Sequence, residues 1–264
     1  GLGPVAQALD IHRGDRMRTL IAMDTKSFNG KAEVEKVTGK ECNEFRNGDH
    51  TTTLIRTENG KVIEIQHDVL TPQPYNRLYQ LTGTKGFANK YPVEGYAIDS
   101  KQMAASGVQP KVDNLNTHSF LPKAEKDALV AKYQHPILKK YGEMAKEVGG
   151  HGGMDFIMDS RLVYCLQNGL PLDMDVYDMA EWCALAELGA LSMDNNYASV
   201  AFPDFTRGHW NEVKGYKHAF ASAKDEAEAE RIAKEATAKM KEEGAKQWAK
   251  IAKQEAKAAK KNKK

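Results

Sequence analysis

The sequence predicts an α+β fold, with a largely antiparallel open sheet carrying helices on one face and a long C-terminal helix added to it. Two observations lead there. Residues 51–57 are rich in β-branched side chains, Asn59-Gly60 is a two-residue hairpin turn, and residues 61–67 return with period-two alternation, which together make an antiparallel hairpin. From Lys123 onward the apolar spacing becomes helical. Strands early and helices late describe a sheet with helices gathered on one side.

The elements follow in order. Pro4 suits a helix start, and Val5, Ala8 and Leu9 share a face, so the chain opens as a helix. Such an abrupt opening leads us to expect a fragment, or a domain whose N-terminal neighbour lies elsewhere. Residues 18–26 read as a strand, and a polar insert follows over about 29–48. A third strand is expected over about 77–82, then a tight turn at Gly83-Thr84-Lys85-Gly86, then a short strand at 96–98. That turn lacks the spacing of a phosphate-binding P-loop. Residues 123–148 are helical, with Pro136 dividing or starting a helix. Met154, Ile157, Met158, Leu162, Cys165 and Leu166 recur at helical spacing until Asn168-Gly169 and Pro171 stop the run. A further helix over about 175–189 carries Val176, Met179, Cys183 and Leu188, and the methionines of both helices are expected in the core. A late strand is expected at 199–202. Residues 1–218 thus read as one α+β domain and 219–264 as a charged, Lys-rich helical tail.

Composition narrows the function classes. An apolar fraction of 41% over 264 residues suits a folded core. The three cysteines, Cys42, Cys165 and Cys183, have no C-x-x-C spacing and suggest neither a disulfide framework nor a thiolate metal site. No apolar run approaches the roughly 18 residues that span a bilayer, so no membrane partner is expected, and no targeting signal identifies a compartment. The net charge of +2 hides a lysine surplus after about Ala223. No aromatic residues interleave the terminal lysines for base stacking, so nucleic acid is not an expected partner.

Two polar constellations could carry chemistry. Gly149-Gly150-His151-Gly152-Gly153 leads into a helix whose first turn holds Asp155, so imidazole and carboxylate can meet on a bent loop. Asp155 could equally serve only to balance the helix dipole, and His151 could be a satisfied buried histidine. In the second, His67 precedes Pro72-Gln73-Pro74-Tyr75-Asn76-Arg77, where the prolines fix an extended approach and hold Tyr75 at a loop-to-strand junction. Its phenol suits a hydrogen-bonding or stacking contact to a sugar, or an edge packing role. The eight histidines show no HExxH helix, so local spacing supports no metal site. No G-x-G-x-x-G follows a strand, so a nucleotide cofactor would have to be held elsewhere.

Seven segments together resemble glycoside hydrolase family 109, a branch of the Gfo/Idh/MocA oxidoreductase superfamily. They are Gly1-Leu2-Gly3-Pro4, residues 48–57, Pro72-Gln73-Pro74-Tyr75, Gly83-Thr84-Lys85-Gly86, residues 151–156, residues 168–173 and residues 203–208, in unbroken order. The resemblance implies a two-domain enzyme: an N-terminal Rossmann domain binding NAD, and a C-terminal α+β domain shaping the sugar site, to which this chain corresponds. It implies oxidation at the sugar C3, elimination of the glycoside, water addition and hydride return, an exception to two-carboxylate hydrolysis. The implied activity is removal of terminal α-linked N-acetylgalactosamine. The family's catalytic histidine falls immediately before Gly1, and Tyr75 matches its substrate-contacting tyrosine. His151 and Asp155 match a family motif without an assigned role, and His67 and Arg77 are candidates by proximity. The implied partners are a carbohydrate and the Rossmann domain; a second copy of the chain, met through the sheet face, is a separate expectation. A sugar dehydrogenase domain and a non-catalytic assembly module are the rival readings.

Overall fold

The computed structural model describes residues 1–91, 93–168 and 172–212, with residues 242, 245–246, 249–250 and 252–253 of the tail. The expected long helix over 219–264 lies largely outside the described residues. The fold is α+β, with seven α-helices and two open antiparallel sheets among the described residues. None of these helices is long and apolar enough to cross a membrane. The chain divides into two compact units. The first comprises Gly1–Ala105, Val112–Leu121 and Met174–Tyr216; the second comprises Ser106–Lys111, Pro122–Asp173 and Lys217–Lys264.

In the first unit, β1 (Met17–Asp24), the predicted hairpin β2 (His50–Thr57) and β3 (Val62–Asp68), and β7 (Val200–Ala201) form a sheet of order β3-β2-β1-β7. Leu20 pairs with Ile55, and Ile55 with Ile63, so one apolar row crosses three strands. All three are buried. With Leu2 and Ala6 of α1 (Leu2–Ala8) and Phe202 they form the core, against which Trp182, Leu185 and Leu188 of α7 (Val176–Asp194) pack. Beyond the short β7, the Ala22 amide finds a side chain instead of a strand, donating to Ser192 Oγ at 3.1 Å. Alternation sends Ile21 and its partner Leu54 to the opposite face, where both are exposed.

The structure departs from expectation at two places here. The polar insert contains a helix, α2 (Gly30–Thr38), with four of its nine residues charged and most of them exposed, hence invisible to apolar periodicity. A distant residue starts it: Asp49 accepts the amides of Phe28 (3.0 Å), Asn29 (2.7 Å) and Gly30 (3.0 Å). The predicted third and short strands, moreover, do not extend the main sheet. They become β4 (Tyr79–Gly83) and β6 (Gly95–Ala97) of a separate sheet, order β4-β5-β6, with β5 (Gly86–Lys90) entering from the expected tight turn. The short helix α3 (Ser100–Ala105) follows and buries Met103.

Among its described residues the second unit holds the helices α4 (Lys123–Tyr133), α5 (Pro136–Val148) and α6 (Met154–Asn168). Pro136 starts α5, where its missing amide hydrogen has no helical partner to lose. Ile137, Tyr141, Ala145, Phe156 and Tyr164 form the core. The expected burial of the methionines is wrong. Met154, Met158, Leu162 and Leu166 form an exposed stripe along α6, and Met179 on α7 is 64% exposed. Both helices are apolar on more than one face, so spacing alone could not say which face turns inward.

Leu20→Ala should destabilise the first unit by about 2–5 kcal/mol through the cavity it leaves, whereas Ile21→Ala should stay within about 0.5 kcal/mol. Urea denaturation of the two variants tests this. Burial alone would raise the Asp49 carboxyl, but the amides of Asn29, Gly30 and Phe28 hold it below the usual carboxylate range. Its stabilisation is therefore complete above the unfolded-state value and lost as pH falls through the depressed folded value. Asp49→Asn should flatten the acid limb of thermal stability against pH.

Candidate functional site

Residues 72–78 run without regular structure between β3 and β4, and Tyr75 stands on that run with 73% of its surface exposed. Arg77 Nε donates to the Tyr75 hydroxyl oxygen, and its guanidinium lies 5.5 Å from the ring centroid. Tyr91 meets Tyr75 edge-on at 6.5 Å, with Lys90 Nζ 5.9 Å from the Tyr91 ring. Two exposed rings with cations beside them offer apolar faces to the C–H side of a sugar and donors to its oxygens. Because the Tyr75 oxygen accepts from Arg77, its own proton can be offered outward.

The start of this loop is tied down by Asp68, not by His67. Asp68 accepts the Thr71 hydroxyl (2.6 Å), the amides of Leu70 (3.3 Å) and Thr71 (3.1 Å), and meets His50 Nδ1 at 3.2 Å. The Thr71 hydroxyl above all holds the Asp68 carboxyl below its usual range, with the His50 contact adding to it. His67 is exposed on β3 opposite Thr51 and makes none of these contacts.

In the second unit the glycine-rich loop brings His151 and Asp155 together as its spacing suggests. His151 Nδ1 lies 2.9 Å and 3.1 Å from the two Asp155 oxygens. A Cβ at Gly150 would stand 2.9 Å from Asp155 Oδ2, and one at Gly153 2.5 Å from the Ala145 carbonyl carbon. Both positions also have positive φ, 72° and 98°. Glycine is thus required for the bend and for the approach to α5. Both side chains of the pair are solvent-accessible, so His151 is not a buried histidine.

A third group was passed over by sequence reading. In the first unit, Arg13 donates to both Asp178 oxygens, at 3.1 and 2.9 Å, and to Asp175 Oδ2 at 3.3 Å. His12 Nδ1 lies 2.8 Å from Glu181 Oε2, and the Tyr177 ring meets the imidazole edge-on. Asp175 and Asp178 form a capping box at the start of α7: Asp175 Oδ1 accepts the amides of Tyr177 and Asp178, and Asp178 Oδ2 accepts that of Asp175. His12, Arg13, Asp178 and Glu181 are all buried. Burial depresses His12, but the Glu181 hydrogen bond and charge outweigh it and hold the imidazole above its usual value. Burial also pushes the Glu181 carboxyl up, and His12 only partly offsets this. The one legible signal was charge density, since Asp175, Asp178 and Glu181 fall three residues apart along a helix.

A polar cavity of about 420 Å³ opens beside Lys26, Lys31, Arg46 and Tyr197, and none of the sequence-selected residues lines it. Every strand pairing in the two sheets is antiparallel. The described residues therefore include no parallel βαβ cradle for a dinucleotide.

The first unit is thus an open antiparallel sheet backed by a helix, with exposed aromatic and cationic side chains on a connecting loop. The amino-acid sequence matches the family profile "Glycosyl hydrolase 109, C-terminal domain" over residues 1–212. The chain belongs to glycosyl hydrolase family 109. It is 80% identical over 240 residues to Glycosyl hydrolase family 109 protein 5 of Phocaeicola vulgatus, covering 91% of this chain and 46% of that protein. It is 61% identical over 221 residues to family 109 protein 1 of Bacteroides fragilis, covering 84% and 47%. Identity to the family 109 protein of Porphyromonas gingivalis is 58%, again with 84% and 47% covered. The chain thus spans about half the length of the curated relatives it matches.

Asp178→Ala should cost about 3–5 kcal/mol, because the buried Arg13 guanidinium loses its principal counter-charge. His151→Ala, at an exposed pair, should change stability by less than about 1 kcal/mol. Thermal denaturation of the two proteins checks the contrast.

Proposed function

We propose that this chain supplies the sugar-binding part of an NAD-dependent glycosidase that removes terminal α-linked N-acetylgalactosamine, with the dinucleotide held by residues outside the chain. The observation that carries the reading is Tyr75: a family-type tyrosine, exposed on a loop anchored by Asp68 and oriented by Arg77. In this reading Tyr75 stacks on the sugar and donates its hydroxyl proton to a sugar oxygen, while Arg77 holds the phenol in place. Within the second unit, His151 and Asp155 form a separate, solvent-facing acceptor and donor pair. The exposed Ile21 and Leu54 on one sheet face favour a second copy of the chain as a partner.

The test is to express the gene with its upstream sequence and assay a chromogenic α-N-acetylgalactosaminide. The longer protein should carry NAD and release the chromophore, and the 264-residue chain alone should not. Tyr75→Phe removes one sugar hydrogen bond and should lower kcat/KM roughly tenfold. Chromophore release by the chain alone would sink the proposal. Accumulation of NADH on free sugar, without glycoside cleavage, would favour the dehydrogenase reading.

A further inference from the structure

We propose that His12, Asp175 and Asp178 form a binding site for one divalent transition-metal ion of the zinc class. The imidazole is the starting point. Its Nδ1 is engaged by Glu181 at 2.8 Å, which leaves Nε2 to carry the lone pair in the neutral ring. That Nε2 is buried and makes no hydrogen bond among the described residues, in a side chain only 3% exposed. It faces Asp175 Oδ1 at 3.3 Å and Asp178 Oδ1 at 3.7 Å, and one ligand atom from each of the three residues lies within 4.8 Å of the other two. Metal bonds of about 2.0–2.1 Å in a tetrahedron set ligand atoms roughly 3.3–3.4 Å apart, close to the two imidazole-to-carboxylate separations. A carboxylate on the far nitrogen is also the arrangement that orients a metal-bound histidine and raises its basicity.

Charge and access agree with that geometry. Three carboxylates, from Asp175, Asp178 and Glu181, converge on one imidazole and one guanidinium, so a divalent ion that takes the place of an imidazole proton is met by opposite charge. One imidazole nitrogen with carboxylate oxygens is a donor set for zinc or its neighbours in the first transition row rather than for calcium. The Asp175 side chain is 42% exposed, giving a route in and room for water as a fourth ligand. Asp175 Oδ1 already accepts two amides and Asp178 Oδ1 one Arg13 hydrogen bond, so both oxygens must be shared. Affinity will therefore fall below that of a dedicated structural zinc site. The competing occupant is a proton on Nε2, which zinc must displace.

The test is isothermal titration of the metal-stripped 264-residue chain with zinc chloride, using magnesium chloride as control and buffers of different ionisation enthalpy. Expected are one zinc per chain, release of a proton on binding, a thermal midpoint that rises with zinc concentration, and no response to magnesium. Asp175→Asn keeps a good helix cap, so its metal-free midpoint should stay near wild type while zinc binding weakens at least tenfold. His12→Asn, chosen because asparagine tolerates the positive φ of 45°, should lose the site as well. His151→Ala should bind zinc as wild type does. Absence of zinc uptake, or equal uptake by wild type, Asp175→Asn and His12→Asn, would overturn the assignment, as would loss of binding in His151→Ala.

Discussion

The forked contact of Arg13 on Asp178, with His12 reaching Glu181 beside it, governs the first unit. These partners are separated by 165 and 169 positions in sequence, and they join the turn after α1 to the first turns of α7. Taking such charges out of water is expensive, and an apolar replacement of the same volume could be as stable. What the ionic contact adds is direction. A fork on a carboxylate tolerates little rotation, so α7 enters the sheet at one angle, and Leu185, Leu188 and Ser192 follow onto β1. The capping box uses the same two aspartates, so helix initiation and tertiary docking depend on one pair of side chains.

Much of the architecture was legible in the sequence, and the limits are instructive. The hairpin of β2 and β3 was legible because turn chemistry and alternation agree at Asn59-Gly60. Pro136 and the glycines around His151 were legible because each forces a backbone choice. The helix α2 was not, because its start depends on Asp49, about twenty residues away, and no local window contains that contact. The second sheet was hidden for a similar reason: strand identity is local, but strand partners are not. On α6 and α7 the error was one of facing, since α7 buries Asp178 and Glu181 while exposing Val176 and Met179, the reverse of what hydropathy implies.

The candidate site divides along the same line. Tyr75 and Arg77, two residues apart, do meet, and His151 finds Asp155 across one helical turn. His67 was chosen for its neighbours in sequence, yet His50, paired with Asp68 across the hairpin, is the histidine that secures the Tyr75 loop. Likewise, the buried cluster at α7 draws on both ends of the first unit, so adjacency in sequence could not disclose it.

The α2 excursion has a further consequence. Its two ends are stitched together before the helix begins: the Thr25 amide donates to the His50 carbonyl at 2.9 Å, and Asp49 closes onto residues 28–30. Loop-closure entropy grows only slowly with length once the ends are fixed. Residues 31–44 therefore hang from a closed neck, to which Arg46 adds a tie onto Asp194 of α7, and they can lengthen, shorten or change composition while the register of β1 and β2 is preserved. Variation among descendants of this fold, and insertions made by design, should find tolerance at that position before any other on the first sheet.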